Sequence, residues 1–179
     1  MATFNSDTPH RKSIRLRGYD YSQAGMYFIT ICTHDRLPLF GEVIDGKMMR
    51  NETGMMAEKC WCAIPDHFPW AMLDVFIVMP NHVHGIITIG ANVVGTNVGA
   101  KNLLPLQLKS KHGTSRTIGS IIRDFKIGVT KWFRSNTDVH AVWQRNYYEH
   151  IIRNDEAYLK IAEYIQTNPQ RWKEDIYHI

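Results

Sequence analysis

Apolar and polar positions along this chain switch between a period of two and a period of about 3.6, and the switches predict its elements. The run Tyr27-Phe-Ile-Thr-Ile-Cys-Thr33 is rich in β-branched and aromatic residues. It follows the turn residues Gln23-Ala-Gly25, which predicts a buried strand. Residues 39–44 and 47–50, joined at Asp45-Gly46, predict a hairpin. Asn51 can cap a helix from about Glu52, with Met55, Met56, Lys59, Cys60 and Ala63 at helical spacing and Pro65 as its stop. Residues 72–79 and 82–89, joined through Pro80-Asn81, predict two central antiparallel strands.

From 90 to 114 the chain is rich in Gly, Asn, Val and Lys without a usable period, which predicts a long flexible surface loop. Ser115 or Thr117 can then cap a helix whose apolar face carries Ile118, Ile121, Ile122, Phe125, Val129, Trp132 and Phe133. A short strand is expected around 141–144 and Tyr147-Tyr148. A last helix over 155–167 follows, capped by Asn154 or Asp155 and stopped at Asn168-Pro169. This order predicts an α+β fold, helices over one antiparallel sheet. A single domain over 1–179 is expected, with a basic N-terminal arm (about 1–20) and the 90–114 loop as an insertion.

Composition excludes some classes. A hydrophobic fraction of 44% and a charged fraction of 21% are those of a globular chain, not of a disordered or fibrous one. No apolar run approaches the roughly 20 residues that span a bilayer, and the N-terminus has no signal-peptide core, so a cytoplasmic protein without a membrane partner is expected. Cys32, Cys60 and Cys62 lack a fourth partner for a zinc tetrad and read as reduced structural thiols. With 21 Lys+Arg against 17 Asp+Glu the balance is mildly basic, compatible with a polyanionic partner.

Candidate chemistry sits in two elements. His82 and His84 are two apart in a predicted strand, so both imidazoles project from one face and can share a cation if a third ligand arrives from elsewhere. Two half-buried strand histidines with no ligand role fit the same pattern. Tyr164 and Asn168 are four apart and share one helical face, on the flank of the stripe Tyr158, Ile161, Ala162 and Ile165. From there they could reach over the sheet edge toward the histidines; a rim aromatic and a plain helix stop fit equally well. A basic stretch, Lys109, Lys111, Arg116, Arg123, Lys126, Lys131 and Arg134 against the single acid Asp124, is interleaved with Phe125, Trp132 and Phe133. Such a stretch can track phosphates and stack bases. Arg11, Lys12, Arg15 and Arg17 form a second basic run.

Seven motifs in order carry a resemblance. They are Arg15-Leu-Arg-Gly-Tyr-Asp-Tyr21, Gly25-Met-Tyr-Phe-Ile-Thr-Ile-Cys32, Leu39-Phe-Gly41, Met79-Pro-Asn-His-Val-His-Gly85, Phe125-Lys126, Val142-Trp-Gln144 and Tyr164-Ile-Gln-Thr-Asn-Pro169. Together the chain resembles the REP-associated tyrosine transposases, single-tyrosine HUH transposases related to the smallest insertion-sequence transposases. The resemblance implies a ferredoxin-like HUH nuclease fold. It implies action on single-stranded DNA beside a hairpin or palindrome, by a monomer or homodimer, with Mg²⁺ or Mn²⁺. It makes His82 and His84 the histidine pair, Tyr164 the nucleophile, and Asn168 the residue where relatives place an Asn or Gln metal ligand. The 90–114 insertion departs from the family pattern.

A phenol with a pKa of about 10 needs help to ionise near neutral pH, and a nearby cation supplies it. Attack would leave a 5′-phosphotyrosine and a free 3′-hydroxyl, ready to rejoin without ATP. Three alternatives share the residues: a non-catalytic DNA-binding regulator, a hydrolase using water as nucleophile, and a rolling-circle initiator or relaxase.

Overall fold

The first apolar run folds as β1 (Gly25–Cys32), with Tyr27, Ile29 and Ile31 buried on one face and Phe28 and Thr30 on the other. This computed structural model describes residues 24–90 and 116–178. The expected N-terminal arm and nearly all of the 90–114 insertion lie outside the described residues. Next come β2 (Gly41–Ile44) and β3 (Lys47–Arg50), paired as the expected hairpin. Asp45 at φ 49° and Gly46 at φ 71° supply the two positive dihedrals that match a two-residue turn to the strand twist.

Asn51 caps α1 (Glu52–Cys62), its side chain accepting from the Gly54 amide. The buried face is Gly54, Ala57 and Trp61, not the expected Met55 and Met56 side, and Met55 is exposed. The reason is close approach: a Cβ on Gly54 would overlap the Phe40 carbonyl oxygen, so the helix turns its smallest residue inward. Pro65 does not simply stop this helix. It sits in the first turn of a short α2 (Ile64–His67), where a missing N–H costs nothing.

Strands β4 (Ala71–Met79) and β5 (His82–Ile89) join through Pro80-Asn81, with Met79 opposite His82. Helix α3 (Ile118–Asn136) begins at a Thr117–Ser120 capping box. The expected strand at 141–144 is reduced to an isolated bridge between Thr33 and Trp143, and the true strand β6 (Tyr148–Ile152) lies a few residues later. Helix α4 (Asp155–Thr167) is capped by Asn154, which accepts from the Ala157 amide.

The main sheet has the order β4-β5-β1-β6 with antiparallel neighbours, the ferredoxin-like arrangement. Alternation along β1 and β5 divides the core. On one face, Tyr27, Ile29, Ile31, Val83 and Ile87 pack against Trp61 of α1 and the apolar stripe of α3. Each such fully buried aliphatic side chain contributes roughly 2 kcal/mol. On the other face, Phe28, Ile86 and Ile152 pack against Ile165 of α4. The sequence alone does not assign helices to faces; the structure puts α4 by itself on the side opposite α1 and α3. Gly85 sets the distance between layers, because a Cβ there would stand 2.3 Å from the Trp61 indole. Among the described residues no helix is long and apolar enough to cross a membrane.

Candidate active site

His82 and His84 point from β5 to the α4 side of the sheet, their ring centroids 4.3 Å apart and their exposures 0% and 1%. The proton of His82 is fixed by its neighbour. Asn81 donates from Nδ2 to the carbonyls of Arg36 and Tyr177, leaving Oδ1 as the acceptor 2.9 Å from Nδ1 of His82. Nδ1 of His82 therefore carries hydrogen, and Nε2 keeps a lone pair. That Nε2 is buried without a partner among the described residues. Thr30 stands 2.9 Å from Nδ1 of His84, within hydrogen-bond distance of the ring. Nε2 of His84 lies 3.2 Å from the Tyr164 hydroxyl. Burial, helped by the Arg36 charge, pushes His82 down to about 3. Burial also holds His84 well below the usual imidazole range, with His82 adding to it and Asp175 opposing. Both rings are neutral, the form that binds metal ions.

Helix α4 lies directly on this face, so Tyr164 reaches His84 from above rather than around a sheet edge. Its ring is half-buried against Phe28, 6.2 Å away and edge-on. The phenol donates to Oδ2 of Asp175 at 3.1 Å and keeps Nε2 of His84 within hydrogen-bond reach. Burial first, then the Asp175 charge, raises the phenol above its ordinary pKa, so it is neutral here. Asn168 is fully buried rather than a rim residue. Its Nδ2 donates to Asp175, and its Oδ1 is buried without a described partner.

Asp175 belongs to a segment that the sequence did not single out. After Pro169 the chain folds back over the histidines, with Trp172 and Tyr177 centred 5.8 and 4.8 Å from the His82 ring. Arg36 holds the segment by donating to the Ile176 carbonyl and lying over Tyr177. One signal lay in composition: Trp172, Tyr177 and His178 are too aromatic for a solvated tail, and the acids Glu174 and Asp175 lie between them.

Ligand atoms of His82, His84 and Asp175 all lie within 4.8 Å of one another. Two neutral imidazoles, a carboxylate and an unpartnered amide oxygen form a nitrogen and oxygen donor set without thiolate, which fits Mn²⁺ or Mg²⁺. In this cluster, His82 Nε2 and Asn168 Oδ1 are buried without a hydrogen-bond partner among the described residues, and a cation would satisfy both.

The basic residues lie elsewhere. Arg123 and Lys131 are exposed on α3, across the sheet from Tyr164, and Arg116 is half-buried just ahead of that helix. Lys126 is a bracket: its ammonium donates to the carbonyls of Gln144 at 2.8 Å and Asn146 at 3.0 Å, and burial lowers it to about 8. Arg11, Lys12, Arg15, Arg17, Lys109 and Lys111 lie outside the described residues.

No family model matches the chain. An uncharacterized protein of Haemophilus influenzae is 50% identical over 176 residues, covering 96% of this chain and 95% of its own. A second protein of that organism, named a candidate REP-associated tyrosine transposase, is 25% identical over 150 residues, 84% of this chain and 73% of its own. Among solved structures, a REP-associated tyrosine transposase bound to a REP hairpin matches with a TM-score of 0.60 and 20% identity, over 88% of this chain and 73% of that one. The α+β fold expected from the sequence is thus the fold of a known transposase.

Proposed function

We propose that this chain, which belongs to one family with the 50%-identical Haemophilus influenzae protein and has the fold of a REP-associated tyrosine transposase, cleaves and rejoins single-stranded DNA through Tyr164. One observation carries the reading: the Tyr164 hydroxyl lies within hydrogen-bond reach of both His84 and Asp175, in a cluster whose free atoms suit a cation. The transposase name of the 25%-identical relative and the hairpin held by the solved one support the substrate class.

His82, His84 and Asp175, with the amide oxygen of Asn168, would hold the cation. When bound, it polarises the scissile phosphate and favours the phenolate. The chain's own groups do the rest. Asn81 and Thr30 fix the ring orientations, as partners behind metal-binding histidines commonly do. Tyr164 and Asp175 are half-buried where the histidines are sealed, so a phosphate would approach the cluster from their side. Asp175 stands where it can take the phenolic proton as the oxygen attacks phosphorus. The phosphorus–O3′ bond breaks, the departing oxygen takes a proton, and a 5′-phosphotyrosine forms. Attack by another 3′-hydroxyl reverses the step and releases Tyr164.

The test is incubation of labelled single-stranded DNA with the protein and Mn²⁺, read on a denaturing gel. A covalent adduct in the native chain that is lost in Tyr164→Phe supports the reading. DNA binding without any adduct leaves a binding domain, and cleavage without an adduct leaves a hydrolase.

A further inference from the structure

We infer that a single strand of DNA lies in a basic groove on the far side of the sheet from Tyr164, between α3 and residues 145–147, and crosses the outer edge of β6 to reach the candidate site. The groove has a volume of about 400 Å³. One wall is a face of α3 carrying Arg123, Ile127, Lys131 and Arg134 at spacings of three and four; Arg145 and Tyr147 form the other. No acid lines it. Asp124, the one carboxylate of α3, turns away to His67 at 2.8 Å. The four guanidinium and ammonium groups are exposed, and none forms an ion pair with a described residue. Cations gathered in one concavity repel one another and raise the local potential for a polyanion.

Lys126 lines the same groove, yet its ammonium is spent on the carbonyls of Gln144 and Asn146. Its task is to hold the second wall against the helix, with Arg145 and Arg134 lining the same gap. Ile127, 44% exposed, and Tyr147 put apolar surface among the charges. Duplex DNA would offer these side chains only phosphates, whereas an unpaired strand offers base faces as well.

The route to the site follows from strand geometry. Tyr147 and Tyr148 are consecutive, so they lean to opposite sides of the sheet. Tyr147 lines the groove, while Tyr148, 43% exposed, lies edge-on to Phe28 with centroids 6.2 Å apart. Phe28 in turn meets Tyr164 at 6.2 Å and His84 at 5.4 Å. Strand β6 is the terminal strand of the sheet, so a chain crossing its edge has an aromatic platform on each side. The destination of the strand rests on the transfer reading; the groove does not.

Binding of a fluorescein-labelled 20-nucleotide single strand, followed by anisotropy in chelator at several salt concentrations, tests the inference. Arg134→Gln/Arg145→Gln should bind about tenfold more weakly. Its logarithmic salt slope should be smaller by about 1.4, near 0.7 for each single-strand phosphate that is no longer neutralised. Its melting temperature should stay that of the native chain, because both side chains are exposed. Tyr148→Ala should weaken binding about fivefold or more by removing one stacking platform. The matching duplex should bind at least tenfold more weakly than the single strand. Unchanged affinity and slope in the double variant, or duplex binding as tight as single-strand binding, overturns the groove. Native binding with no dependence on Tyr148 overturns the route over β6. The same samples given Mn²⁺ separate the two proposals: groove-dependent binding without an adduct sinks the transfer reading alone, and an adduct with groove-independent binding sinks the groove alone.

Discussion

Tyr164 and His84, 80 residues apart in the chain, meet with the phenol oxygen 3.2 Å from Nε2 of the imidazole. The contact exists because β5 has a period of two and α4 lies flat on the face that the period selects. It joins the candidate nucleophile to the candidate metal ligands without any intervening group.

Metal binding should depend on the segment after α4 as well as on β5. Asp175→Asn and Asn168→Ala are each expected to lower Mn²⁺ affinity by about 10- to 100-fold, the range seen when groups around a metal are lost. Titration calorimetry without DNA measures this. Undiminished affinity in Asp175→Asn would remove that carboxylate from the ligand set.

Thr30 acts on the same ion one step removed: with the cation on Nε2, Nδ1 of His84 carries the hydrogen and Thr30, 2.9 Å away, accepts it. Thr30→Val keeps the shape and removes the acceptor. Mn²⁺ affinity should fall about tenfold while the melting temperature, read by circular dichroism, falls only slightly.

Acid should destabilise the metal-free protein. The folded pKa of His82 is about 3, below the ordinary 6.5, so the unfolded chain takes up the proton first as pH falls. The contribution of His82 is complete above pH 6.5 and drains away from there down to about pH 3. Between pH 7 and 5 the loss from this one group is about 2 kcal/mol, and His84 shifts in the same direction. Denaturant melts in chelator should show the decline, and His82→Gln should flatten it. Equal slopes in the two proteins would mean that His82 is not buried as described.

Gly85→Ala should cost about 1–3 kcal/mol, because the new methyl would stand 2.3 Å from the Trp61 indole and 3.0 Å from the Phe76 Cβ. A change in tryptophan fluorescence should accompany the lower melting temperature. A neutral substitution would mean that α1 and the sheet part more easily than their packing implies.

Local patterns made much of the fold legible. The caps Asn51, Thr117 and Asn154, the Asp45-Gly46 turn and the alternation that puts His82 and His84 on one face all act within a few residues. Long-range packing was not legible. The inward face of α1 is decided by the close approach of Gly54 to Phe40, and β6 begins past the bridge at Trp143. The side of the sheet taken by α4 turns on contacts between Ile165 and Phe28, Ile86 and Ile152. Asp175 escaped the sequence reading because nothing in its spacing marks it: it comes to the histidines only when Trp172 and Tyr177 pack over His82.

The central claim is that Tyr164 forms the bond to DNA, and the site contains a second phenol that sequence reasoning did not weigh. Tyr177 lies 4.8 Å from the His82 ring and 5.6 Å from that of His84. The other tyrosines among the described residues are placed apart: Tyr158 is tied to Asp74, Tyr147 lines the α3 groove, Tyr148 meets Phe28 rather than the histidines, and Tyr27 is buried on the opposite face of the sheet. The direct measurement is mass spectrometry of the protease-digested adduct formed on single-stranded DNA with Mn²⁺. The account predicts a nucleotide on the peptide containing Tyr164, absent from Tyr164→Phe and undiminished in Tyr147→Phe/Tyr148→Phe/Tyr158→Phe. A nucleotide on Tyr177, or an adduct that survives in Tyr164→Phe, would contradict it.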